Sequence, residues 1–161
     1  MSLFNRRTFL FLPLALAACG FTPVYAPGGT ASALRGKVEV AAPESVDSYL
    51  LVQNLEERLG RPTQPTYKLS LTLATGAQGQ AVTASNETTR YSLVGKLDYV
   101  LSDIGSEAII ASGSVGNFTG YSATGSTVET LASERDARAR LMVILADQIT
   151  TRLYAIDDLP Q

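Results

Sequence analysis

Histidine and tryptophan are absent from this 161-residue chain, and cysteine occurs once, at position 19. Without imidazole there is no Ser-His-Asp or Cys-His machinery, no histidine metal ligand and no histidine general base. One cysteine leaves neither an internal disulfide nor a thiolate zinc cluster. Charge is sparse, with 13 Lys and Arg against 15 Asp and Glu, or 17% of the chain. A near-neutral balance argues against nucleic-acid binding, which needs a clustered basic surface. Long apolar runs are missing too. Phe9 to Ala18 is about half the ~20 residues that a membrane-spanning helix requires, and Pro13 interrupts it. What remains, 45% hydrophobic residues in a chain of single-domain length, is the composition of one globular domain.

The N-terminus has the layout of an export signal. Arg6 and Arg7 form a short positive region, the apolar run follows, and small residues lead to Cys19. Leu16-Ala17-Ala18-Cys19 resembles the bacterial lipobox, which implies cleavage before Cys19 and acylation of the new N-terminus. Each buried CH₂ is worth ~0.8 kcal/mol, so two or more acyl chains give stable anchoring. Gly20 rather than Asp after the cysteine favours the outer membrane, by analogy with enteric-type sorting. Asn5-Arg6-Arg7-Thr8-Phe9-Leu10 also resembles a twin-arginine signal, and a general secretory route is equally open. The expected organisation is a lipoprotein signal peptide over 1–18, an acylated N-terminus and extended tether over 19–36, and one domain over 37–157.

Periodicity gives the elements of that domain. Lys37 to Ala41 alternates as a short strand. Ser45 to Leu59 reads as a helix, with Ser45 or Ser48 as cap, a Leu51/Leu55/Leu59 stripe, and Gly60 and Pro62 as stop. Tyr67, Leu69, Leu71 and Leu73 alternate with smaller or polar residues as a half-buried strand. Gly76 to Thr88, rich in Gly, Ser, Thr, Asn and Gln, reads as a loop or frayed hairpin end. Tyr91 to Leu101 keeps strict period two. Ala108 to Tyr121 is a further strand, with Gly113, Gly116 and Gly120 as candidate bulges or bends. Thr127 to about Ile156 is the longest helix, opened by a Ser126/Glu129 capping box. The expected fold is α+β: a two-layer sandwich of a mostly antiparallel four-stranded sheet with two helices on one face, in the order β-α-β-β-β-α.

No catalytic set assembles from these residues. Glu134 and Asp136 sit among Arg135, Arg138 and Arg140 on a helix and read as solvated ion pairs. Asp98 lies on a strand's polar face, where cross-strand pairing explains it. The glycine pairs lack the Lys-Ser/Thr and helix start of a phosphate loop, and no cofactor is expected. Lys68, Arg90 and Lys96 stand apart. They lie on or beside the best strands, opposite the Leu/Tyr stripe, where spaced cations suit the phosphates of an anionic lipid. Ordinary solvated side chains explain them as well.

Cys19-Gly20-Phe21-Thr22-Pro23-Val24-Tyr25, directly after the lipobox, resembles the start of the LptE lipoproteins of lipopolysaccharide assembly. Arg90-Tyr91-x-Leu93, Tyr99-x-Leu101-x-Asp103 and the closing helix from Ala137 to Leu153 are similar to that family as well. The resemblance covers essentially the whole mature chain. It implies a non-enzymatic outer-membrane lipoprotein that plugs the large β-barrel LptD. It also implies help with barrel folding, direct lipopolysaccharide contact and insertion of that lipid into the outer leaflet. Of the family's lipid-binding positions only Arg90 carries over. An auxiliary lipoprotein of an ABC-type lipid transporter is the alternative, and a small anchored hydrolase is a third.

Overall fold

The computed structural model describes residues 29–82, 87–156 and 159. The signal peptide, Cys19 and most of the tether lie outside the described residues. The elements are α1 (Thr30–Leu34), β1 (Val38–Val40), α2 (Val46–Leu59), β2 (Tyr67–Val82), β3 (Thr88–Asp103), β4 (Ile109–Ser122) and α3 (Thr127–Tyr154). The α+β expectation holds: one four-stranded sheet, in spatial order β1-β2-β3-β4, carries the helices on a single face.

Both long helices start where local chemistry directs. At α2, Ser45 Oγ accepts from the Ser48 N–H, and Ser48 Oγ accepts from the Ser45 N–H. Two otherwise orphaned donors are thereby satisfied. Gly60, at φ +77°, ends the helix in a conformation that residues with a Cβ rarely adopt. At α3 the Ser126/Glu129 capping box forms as the spacing predicts. The apolar stripes meet in one core. Leu51, Leu55 and Leu59 from α2 and Leu141, Leu145, Ile149 and Leu153 from α3 close over Leu69, Leu93, Leu97 and Leu101 of the sheet, all fully buried.

The structure corrects three expectations. Thr30–Leu34, assigned to the extended tether, is a helical turn with Ala31 and Leu34 buried. Five residues are too few for helix propensity to act alone. Burial and the Thr30 hydroxyl's 2.9 Å bond to the Ile156 carbonyl hold it. The stretch Gly76–Val82, read as a loop or frayed hairpin end, continues β2 as the outer part of a hairpin, paired antiparallel with β3 out to Val82↔Thr88. The sheet is mostly antiparallel, as expected, and its β1–β2 pair is parallel. Finally, Gly113, Gly116 and Gly120 pair in register with Tyr99, Lys96 and Ser92, and the one β3–β4 register shift falls at Leu101/Ser102. Gly113 serves closeness instead. A Cβ there would meet the Tyr99 ring at 3.0–3.1 Å.

Candidate functional site: the open face of the sheet

Side chains alternate across a sheet, so the helices cover one set and leave the other to its surroundings. On β3 the core set is Leu93, Gly95, Leu97, Tyr99 and Leu101, and the open set includes Arg90, Val94, Lys96 and Asp98. Lys68 on β2 is exposed on the same face. The three sequence-selected cations thus share one surface, but they do not converge. Arg90 and Lys96 are six positions apart on β3, and Lys68 sits opposite Ser102, six positions beyond Lys96. At ~3.3 Å per residue each step is ~20 Å.

Their electrostatic settings differ. Lys96 Nζ lies 3.1 Å from a carboxylate oxygen of Asp98 on the same strand. Asp98 is opposite Ser114 of β4. The Ser114 hydroxyl bond and then the Lys96 bond hold the Asp98 carboxyl below its usual range. Asp98 therefore makes the expected cross-strand contact, together with a same-strand ion pair to Lys96. Arg90 and Lys68 carry no ion pair among the described residues, and they are the freer cations of the face.

An apolar spot between the cations escaped the sequence reading. Val94 faces Phe118 across the β3–β4 ladder, and Phe118 is 66% exposed. Apart from Ile109 at its start, the rest of that face on β4 is small or hydroxylic: Ser112, Ser114, Gly116, Gly120 and Ser122. A lone large ring among such residues was the available signal. The core face, by contrast, stacks Tyr91 on Tyr121 with centroids 5.3 Å apart. The open face as a whole offers hydroxyls, spaced cations and one aromatic platform. That suits an amphiphile or another protein's polar wall better than a small substrate.

The model of the LptE lipopolysaccharide-assembly family matches residues 36–153. The chain belongs to that family. Solved bacterial lipoproteins share its architecture. A lipoprotein from Caulobacter crescentus CB15 superposes with a TM-score of 0.65 at 21% identity, covering 79% of this chain and 94% of that one. The rare lipoprotein B of Shewanella oneidensis gives 0.56 at 11% identity over 73% and 91% of the two chains. Lipoprotein B of Nitrosomonas europaea gives 0.57 at 13% over 75% and 83%. At these identities the likeness is one of fold. No curated protein matches the sequence.

Proposed function

We propose that this LptE-family chain is a non-enzymatic outer-membrane lipoprotein, acylated at Cys19. In this reading it partners and plugs an LptD-type β-barrel, assisting the barrel's folding and the insertion of lipopolysaccharide into the outer leaflet. The family match over residues 36–153 carries the reading. Two physical features support it. Leu16-Ala17-Ala18-Cys19 supplies an anchor, and no described helix is long and apolar enough to cross a membrane. The sheet's open face is polar and sparsely charged, as a plug facing the polar interior of an outer-membrane barrel needs to be. Arg90, Lys96 and Lys68 are the proposed lipopolysaccharide contacts, pairing with phosphates, with Val94 and Phe118 beside them for the apolar part of the lipid.

The test is mild-detergent affinity purification of the tagged chain from membranes, with mass spectrometry of its partners and of the mature N-terminal peptide. A stoichiometric large barrel with an acylated Cys19 is the expected result. Transporter subunits without a barrel, or an unmodified Cys19, overturn it.

A further inference from the structure

The two outer edges of the sheet are finished differently. Along β4 three of the outward backbone groups, spread over the strand's length, are met by side chains. Arg152 donates to the Ser114 carbonyl at 3.0 Å, Asn117 Oδ1 accepts from the Phe118 N–H at 2.8 Å, and Arg140 reaches the Gly120 carbonyl at 3.5 Å. Protected edges of this kind keep a sheet from pairing with other chains. Along β2 the cover stops early. Lys37 and Ala41, flanking β1, bond to the Tyr67 N–H and the Leu69 carbonyl. Tyr67 and Leu69 therefore point their backbone groups outward, and by the alternation of an antiparallel ladder Leu71, Leu73, Thr75 and Ala77 do the same. Among the described residues nothing pairs with them. This edge also lacks the usual safeguards, since residues 69–82 contain no charge and no proline.

We propose that the β2 edge from Leu71 to Ala77 is a strand-addition site, at which an extended segment of the barrel partner pairs in trans. The inference rests on the barrel reading for the source of the segment, and it adds the place and mode of contact. Main-chain hydrogen bonds supply affinity in such additions, and pockets for alternate side chains supply specificity. A pocket stands at the right place. A cavity of about 420 Å³, with Val52, Leu71 and Leu73 on its apolar side and Ser45, Ser48 and Glu44 on its polar side, opens beside the uncovered edge. It fits an apolar side chain of the incoming strand.

Charge indicates what else that strand carries. Glu44 at the cavity rim is exposed and without an ion pair among the described residues. An uncharged segment ending in Lys or Arg at Glu44 complements both features. A second copy of this chain does not. Its own β2 has no cation after Lys68 to offer Glu44.

The test uses the full lipoprotein in membranes. Ala77→Pro removes an outward N–H and spares the β2–β3 ladder, whereas Gln78→Pro removes a ladder donor and serves as the folding control. Ala77→Lys places a charge on the same edge as a second variant. For Ala77→Pro and Ala77→Lys, melting within ~2 °C of the parent and a loss of barrel recovery of about tenfold or more are expected. A photo-crosslinking amino acid at Ala77 is expected to mark one extended, Lys- or Arg-bearing segment of the barrel. Undiminished barrel recovery by folded edge variants overturns strand addition and leaves the barrel reading standing. So does an adduct to a second copy, or none at all. A parent chain that recovers no barrel overturns that reading itself and, with it, the assigned source of the strand.

Discussion

Arg138 on α3 reaches Asp47 at the start of α2 at 2.8 Å and Glu134 one turn back at 2.7 Å, while Asp47 also accepts from Thr75 of β2 at 3.1 Å. One guanidinium so ties both long helices to the strand beneath them. The Glu134 hydrogen bond raises its pKa, burial opposes that, and Asp47 adds to the rise. Asp47 is only 12% exposed, and removing its cation leaves a largely buried carboxylate unpaired. Partial exposure of Arg138 screens the loss, so Arg138→Gln should cost about 1–2 kcal/mol by calorimetry. Arg138→Lys should recover part of it. Leu97→Ala, in the fully buried stripe of β3, should cost about 2–5 kcal/mol in denaturant unfolding, as a deletion that leaves a cavity does. Acid acts on a third set. Asp103 is held below its usual pKa by the Ser106 N–H and hydroxyl, and Glu129 by the Ser126 N–H and hydroxyl. A depressed carboxylate contributes stability that is fully present above its unfolded pKa of about 4 and is lost as pH falls toward the folded value. The melting temperature should therefore stay level through pH 5–7 in these terms and decline below about pH 4, which a pH series of thermal melts checks.

Among the elements, α3 depends on Gly95 for its seat on the sheet. A Cβ there would come within 3.0 Å of Leu141 and 3.1 Å of Leu145. Gly95→Ala should lower stability by about 1–3 kcal/mol through overpacking, read by urea unfolding. The long β2–β3 hairpin shows why local patterns misread its outer half. From Tyr67 to Leu73 one side of β2 meets the core, and that burial writes alternation into the sequence. From Ala74 to Ala81 every residue is exposed, so nothing selects a period, and the composition turns loop-like. Pairing with β3 alone makes it a strand. Amide exchange is predicted to show this element by element: Thr72, Ala74 and Gly76, bonded to β3, exchange slowly, and Leu71, Leu73, Thr75 and Ala77 exchange rapidly in the free protein. Protection of that second set in the partner complex would accompany strand addition.

At the scale of the whole molecule, the proposed anchor and the folded domain should be separable. Cys19→Ala should release the chain from membranes on fractionation while leaving the melt of the folded domain unchanged, because the described core draws on Ala31, Leu34 and residues beyond them. The two-layer build leaves one sheet face and one sheet edge available. The face carries Arg90, Lys96, Lys68 and Phe118, and the edge runs from Leu71 to Ala77. The proposed lipid contacts lie on the first and the proposed strand-addition site on the second, so the two do not compete for the same residues.

The sequence alone determined whatever depends on neighbours in the chain. The Ser126/Glu129 box, the leucine stripes of both long helices and the period-two run of β3 act over a few residues, and each formed where its spacing placed it. The side of the sheet taken by Lys68, Arg90 and Lys96 followed from the same alternation. Only the tertiary structure decided that β1 lies parallel to β2, that β2 runs on to Val82, and that Arg152 and Asn117 meet groups on the β4 edge while the β2 edge beyond Leu69 has no such partners among the described residues. Those features rest on pairings between residues far apart in the chain. A strand's hydrogen-bond partners lie outside it, so no local pattern records which of its backbone groups are left unmet.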